Sequence, residues 1–387
     1  MNEPATTRIA TAIGLRLPFD PLLALAAIGL MAMSLVSLDA SSGAPGDAHA
    51  FAVRQGVFFA IGTLLAIVVS RVDYSRLREL KYGVYGLMMA GILLVIVFGG
   101  VTRGSRRAIQ LPFFEIQASE LGKVLLVVAL AAFAVDRARN LGERDTTARL
   151  VLLAMLPAIF VMAGDLGSGL VYIVILLAVL FVAGVSWRHF AGLFALGVIS
   201  ITFVLVAAPA VGITVLKPYQ TERLTAFFYP TDDPNKAGYQ QNQSRIAIGA
   251  GQKTGRGELS TQGPLNFLPE QRTDFPFAAI AERWGFAGAG LVLSLYALLM
   301  WRGLRILTVA KNLYGALIAG GIVAMLLFQV FINVGMNVGI MPITGIPLPL
   351  LSYGGSSVIA TLLAIGLLQS VYAQGRAAAA AKGRGRL

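Results

Sequence analysis

Few residues of this chain can do chemistry, because only 13% of it is charged and cysteine is absent. Asp274 stands out by position. It closes the stretch Leu268-Pro-Glu-Gln-Arg-Thr-Asp274, and an apolar run begins at Phe275-Pro-Phe277. A carboxylate at the mouth of an apolar helix can face a substrate and take a proton from it as a general base. The same position suits an N-cap, for which Asp is a preferred residue. Spacing alone leaves both readings open. Glu282 lies a further two helical turns on, about 12 Å along a helix axis. Paired glycosidase carboxylates sit roughly 5–9.5 Å apart, so these two do not make a hydrolytic pair.

Glu120 and Lys123, three residues apart, share one helical face and can pair. Ionisable groups inside an apolar span are costly, and mark either a site or an interhelical ion pair. Asp165, in Gly164-Asp-Leu-Gly167, reads as a site residue or as the cap of the helix that follows. Arg54, Arg106, Arg107, Lys217, Arg223, Arg245 and Arg272 flank apolar runs on the same side as Asp274. Guanidinium groups match phosphate oxygens in bidentate geometry. The cluster therefore suits a substrate carrying a pyrophosphate, with loop solvation and headgroup contact as the plain alternative.

These side chains must be held by membrane helices. The chain is 57% hydrophobic with a mean hydropathy of +0.75, whereas a soluble chain carries roughly 25% charged residues. Apolar stretches long enough to cross a bilayer fall near 22–38, 55–71, 82–99, 118–135, 148–164, 166–185, 190–211, 276–300, 312–333 and 353–373. Placing both termini in the cytoplasm concentrates Lys and Arg inside and leaves the outer side nearly neutral, as the positive-inside rule requires. The net charge of +12 is then a signature of topology, not of nucleic-acid binding. Residues 1–20 are polar and carry no cleavable signal, so the first apolar run is expected to stay as an anchor.

The expected fold is an all-α polytopic membrane protein of about ten transmembrane helices with both termini cytoplasmic. Residues 1–20 form a cytoplasmic segment, 21–373 a single transmembrane domain and 374–387 a flexible basic tail. A long extracellular loop, 212–274, precedes the eighth helix. A re-entrant or broken segment, 333–352, precedes the tenth, because Pro342, Gly345, Pro347 and Pro349 forbid a regular helix. Such backbone survives at membrane depth only inside protein or along a wet cavity. Two histidines, His49 and His189, and no cysteine exclude a Cys/His zinc site. Gly249-Ala-Gly-Gln-Lys-Thr254 lacks the glycine before Lys253 that a phosphate loop needs.

Several stretches resemble one family over about residues 20–373. The densest are Tyr239-Gln-Gln-Asn-Gln-Ser-Arg-Ile-Ala-Ile-Gly249, Leu268–Phe277 and Gly345-Ile-Pro-Leu-Pro-Leu-Leu-Ser-Tyr-Gly-Gly-Ser-Ser357. Weaker ones are Arg54-Gln55, Gly104-Ser-Arg-Arg107, Gln117–Lys123 and Asp165-Leu-Gly-Ser168. The sequence is similar to the SEDS (shape, elongation, division and sporulation) family, and Ile343-Thr344 before Gly345 looks more like its RodA than its FtsW branch. It departs from the family pattern at Arg272, where histidine is usual, and at Ala118 and Ala163-Gly164.

The resemblance implies a peptidoglycan glycosyltransferase that polymerises lipid II at the outer leaflet beside a class B penicillin-binding protein. It implies Asp274 as the catalytic residue, with Arg54, Glu120 and Lys123 matching family positions. Further candidates for substrate contact within the matched motifs are Arg106, Arg107, Asp165, Gln243, Ser244, Glu270, Thr273, Asn333, Ser352, Tyr353 and Ser356. Membrane lipids are expected neighbours and nucleic acid is not. No cofactor is implied, a divalent cation (Mg2+ or Mn2+) being the one candidate. A lipid II flippase and a non-catalytic scaffold for the penicillin-binding protein are the rival readings.

Overall fold

The computed structural model describes residues 19–40, 47–102, 105–110, 115–212, 216–228, 237–260, 268 and 270–384. Within the bilayer a backbone must satisfy its own hydrogen bonds, and each apolar stretch accordingly folds as a helix. In chain order these are α1 (Pro21–Ala40), α2 (Asp47–Arg71), α3 (Lys81–Phe98), α4 (Ala118–Asp136), α5 (Arg144–Gly164), α6 (Leu166–Val182) and α7 (Trp187–Thr202). Two helices occupy the expected long loop, α8 (Pro218–Phe228) and α9 (Ala237–Gly251). The chain ends with α10 (Pro276–Val309), α11 (Leu313–Val338) and α12 (Gly355–Arg384). Among the described residues nine helices are long and apolar enough to cross a membrane, and α6 adds a shorter apolar one. This is an all-α polytopic membrane protein.

Three helices form the centre. Most of the apolar window of α4, α11 and α12 is buried, whereas none of that of the α7 span is. An apolar helix so little buried by protein faces lipid. In α4 the small residues Ala129, Ala131, Ala132 and Ala134 have no accessible surface, and small side chains let membrane helices approach closely.

Three departures from the sequence reading have local causes. Between α3 and α4 the chain forms strands β1 (Gly100–Thr102), β2 (Ser105–Gln110) and β3 (Glu115–Ile116), paired antiparallel in that order. Helix α11 runs past Asn333 to Val338 and ends on Gly339 at φ +89°, so the broken segment starts later than the prolines suggested. The expected flexible tail continues α12 as helix to Arg384, because its run of alanines consists of the best helix formers.

The pole at which α1 begins is pinned by Asp20. Its carboxylate has no exposure, accepts the amides of Leu22 and Leu23 at 3.1 and 3.0 Å, and receives Arg302 of α10. Gln369 of α12 donates to the Asp20 carbonyl at 3.0 Å and accepts its amide at 2.7 Å. Three helices thus meet at one residue. Nearby, the Tyr74 hydroxyl donates to Asn312 Oδ1 at 3.1 Å. Burial, with Asp73 beside it, pushes that hydroxyl up to about 12, so it stays a donor across physiological pH.

Helix α10 is not continuous. Gly285 adopts φ +64°, ψ −157° within it. The turn after α9 splints the break: Arg256 N donates to Glu282 O at 2.9 Å, Phe286 N to Gln252 O at 2.8 Å and Ala287 N to Lys253 O at 3.2 Å. A Cβ on Gly251 or Gly255 would lie 1.9 or 2.1 Å from a backbone carbonyl oxygen of α10. Two backbones touch here without side chains between them.

Candidate active site

Asp274 sits at the opposite pole, half-buried, at the end of a turn wound on Glu270. Glu270 holds φ +62°, and its carbonyl accepts the amides of Thr273, Asp274 and Phe275 at 3.1, 2.9 and 3.2 Å. Thr273 Oγ1 closes the turn by donating to Glu270 Oε2 at 2.8 Å. The N-cap position of α10 is Phe275, followed by Pro276, where a missing amide costs nothing. The cap position therefore falls one residue beyond Asp274.

Helix α11 supports this turn from below. Asn333 Nδ2 donates to the Asp274 carbonyl at 3.1 Å and to Ile346 O at 2.8 Å. Asn337 Nδ2 reaches the same Asp274 carbonyl at 3.2 Å, while its Oδ1 accepts the Ala278 amide at 3.0 Å. Both asparagines are fully buried. From α9, Ser244 Oγ donates to Asn337 O at 2.9 Å and Gln241 Nε2 to Met341 O at 2.8 Å. A small apolar cluster of Ala247, Leu268, Phe275, Ala278, Met336 and Ile343 fills the space beneath.

The Pro/Gly segment between α11 and α12 walls the site. Arg223 of α8 donates to Thr344 O at 3.0 Å. Ser352 Oγ accepts the Leu348 amide at 2.7 Å, and its carbonyl accepts Gln55 Nε2 at 3.2 Å. Tyr353 N donates to Arg272 O at 2.8 Å, and the Arg272 guanidinium lies 4.3 Å from the centre of the Phe51 ring. Phe51 in turn meets Tyr353 edge-on at 5.1 Å. Arg54, one helical turn from Phe51, is exposed. Ser356 Oγ donates to Glu115 O at 2.6 Å and accepts the Gln117 amide at 3.0 Å, tying α12 to the start of α4.

The structure thus gathers Glu270, Thr273, Asn333 and Tyr353 around the Asp274 turn. Ser352 and Ser356 shape the adjoining wall, and Ser244 is buried against α11. Gln243 lies half-buried on α9. Arg106 and Arg107 are on β2, with Arg106 in register with Val101. Glu120 and Lys123 form an ion pair at 2.7 Å with both side chains 2% exposed. Their Glu120 Oε1 and Lys123 Nζ atoms make no hydrogen bond. Asp165 caps α6, accepting Ser168 N at 3.3 Å and Ser168 Oγ at 3.0 Å. Asn337 was missed in the sequence; an Asn pair four apart on an apolar helix, sharing one face, was the available signal. Among the described residues no three His, Cys, Asp or Glu side chains converge to hold a metal.

A polytopic helical bundle with an anchored carboxylate at one pole defines a membrane protein with an enzyme-like site. The family described as "Cell cycle protein", comprising FtsW, RodA and SpoVE, matches residues 16–377, and the chain belongs to it. It is 36% identical to Stage V sporulation protein E of Bacillus subtilis, over 84% of this chain and 87% of that one. It is 35% identical to peptidoglycan glycosyltransferase MrdB of Escherichia coli, over 91% and 93%. A solved structure described as "Structural coordination of polymerization and crosslinking by a peptidoglycan synthase complex" superposes with a TM-score of 0.78 at 34% identity, covering 92% and 98%. Thermus thermophilus RodA gives 0.67 at 30% identity, covering 92% and 97%.

Proposed function

We infer that this chain is a peptidoglycan glycosyltransferase of the bacterial inner membrane that polymerises lipid II at its outer face, with Asp274 as general base. One observation carries the assignment of Asp274. Its backbone is held from both sides, the amide by Glu270 and the carbonyl by Asn333 and Asn337, which fixes the place from which its half-buried carboxylate acts. Fixing a reacting group in place removes much of a barrier before chemistry begins.

In the reaction, the 4-hydroxyl of an acceptor GlcNAc gives its proton to Asp274. Its oxygen bonds to the anomeric MurNAc carbon, and the carbon–oxygen bond to the diphosphate breaks with its electron pair. Undecaprenyl pyrophosphate leaves and the anomeric centre inverts. A diphosphate departs without a strong acid, so one carboxylate suffices. The exposed Arg54 supports binding of the phosphates. The peptidoglycan synthase complex found among the structural relatives supports a class B penicillin-binding protein as the partner.

Purified protein with that partner should convert purified lipid II to glycan. Asp274→Ala and Asp274→Asn should fold, bind lipid II and lose at least about 100-fold in rate, the usual scale for a general base. Undiminished glycan from either folded variant would remove Asp274 from this role.

A further inference from the structure

The wall beside Asp274 has a gap of one side chain. Gly345 holds φ +74°, and a Cβ built on it would stand 3.9 Å from Asp274 Oδ2. The same point lies 3.3 Å from Arg223 NH1 and 3.8 Å from NH2. Arg223 comes from α8, in the loop between the seventh and eighth spans, and is anchored by its bond to Thr344 O at 3.0 Å. Guanidinium and carboxylate therefore share the space above one bare α-carbon. The backbone there takes a form that L side chains rarely adopt.

We propose that Arg223 is a positioning residue for Asp274, and that Gly345 is bare so that the two can meet. The proposal rests on reading Asp274 as the general base. An adjacent guanidinium favours a carboxylate over its neutral acid. An arginine never gives up its charge under these conditions. Its planar fork also holds geometry that a point charge on a flexible stem does not. Its bond to Thr344 O holds the guanidinium over Gly345, where the Asp274 carboxylate also stands. During transfer the proton moves from the acceptor hydroxyl to Asp274, and the negative charge moves to the departing diphosphate. Arg223 does not enter either bond change. Its task is to present Asp274 ionised and aimed at the hydroxyl.

This role separates rate from binding. Arg223→Met should lower kcat about 100-fold, the cost of misplacing a catalytic group by about 1 Å, and leave KM for lipid II within about twofold. Arg223→Lys should recover at least a tenth of the wild-type kcat. Gly345→Ala places a methyl group 3.3 Å from Arg223 NH1 and 3.9 Å from Asp274 Oδ2 and should lower kcat with KM unchanged, although both partners remain. The Arg223→Met/Gly345→Ala double variant should be no slower than Arg223→Met alone, because groups acting as a unit are not additive. Each protein is checked for monodispersity in detergent and for lipid II binding. Normal kcat in Arg223→Met, a raised KM at constant kcat, or multiplicative losses in the double variant would overturn the proposal. Asp274→Asn measured alongside separates the two ideas. If it retains activity the general-base reading fails, whereas an inactive Asp274→Asn beside a normal Arg223→Met defeats only the role of Arg223.

Discussion

Asn337 bridges the Asp274 carbonyl and the Ala278 amide, at 3.2 and 3.0 Å, so one buried side chain spans the junction between the Asp274 turn and α10. Replacing it with leucine removes both links while keeping the volume. The Ala278 amide then lacks this partner in a buried place, a loss of about 1–3 kcal/mol. Asn337→Leu should unfold at a lower temperature in detergent and polymerise more slowly, while binding lipid II as before. An unchanged melting curve with unchanged rate would show that Asn333 alone holds the turn.

Glu120 and Lys123 make a second prediction, because both side chains are buried and paired on α4. Lys123→Met strands a buried carboxylate, which costs about 3–5 kcal/mol in such pairs, whereas replacing both partners is far cheaper. The Glu120→Gln/Lys123→Met protein should therefore be more stable than Lys123→Met. If its thermal stability is lower by the sum of the single losses, the pair is not a structural unit.

The splint under α10 predicts opposite fates for two neighbouring glycines. Gly255→Ala drives a methyl group to 2.1 Å from Arg283 O at φ +86° and should destabilise the protein and slow polymerisation. Gly249→Ala meets open space on α9 and should be neutral or stabilising, by up to about 1 kcal/mol. Paired melting curves decide it, and equal losses in the two would deny the splint.

At the other pole, Arg302→Ala leaves the wholly buried Asp20 carboxylate without its guanidinium. A loss of about 3–5 kcal/mol is expected, and Asp20→Asn/Arg302→Leu should regain much of it. Glycan synthesis per folded molecule should be unchanged, since this latch is far along the bundle from the Asp274 turn. A folded Arg302→Ala protein with a much reduced rate would contradict that separation.

Much of this architecture was legible in the sequence because lipid allows so few backbone solutions. The helix from Ala118 and the pair at Gly164–Leu166 follow from apolar length and from Asp165 as a cap. What could not be read concerns contacts between distant segments. Arg223 was one basic residue among seven near that side, and its place beside Asp274 depends on Gly345 more than 120 residues later. The helical α9 was hidden because its composition is polar, and its structure comes from packing on α10 and α11 rather than from an apolar face. The strands between α3 and α4 were missed for a similar reason, as short hairpin pairings leave only a weak local signal.

The break at Gly285 has a mechanical consequence. The part of α10 beyond it, Phe286–Val309, is about 36 Å long at 1.5 Å per residue, enough by itself to cross a hydrocarbon layer of about 30 Å. The part before it, from Pro276, packs on α9 and α11, and the turn after α9 bonds to both sides of the break, Arg256 N to Glu282 O and Phe286 N to Gln252 O. Main-chain bonds from one turn to both sides of the break thus brace the membrane-crossing part of α10 against the part that follows Asp274.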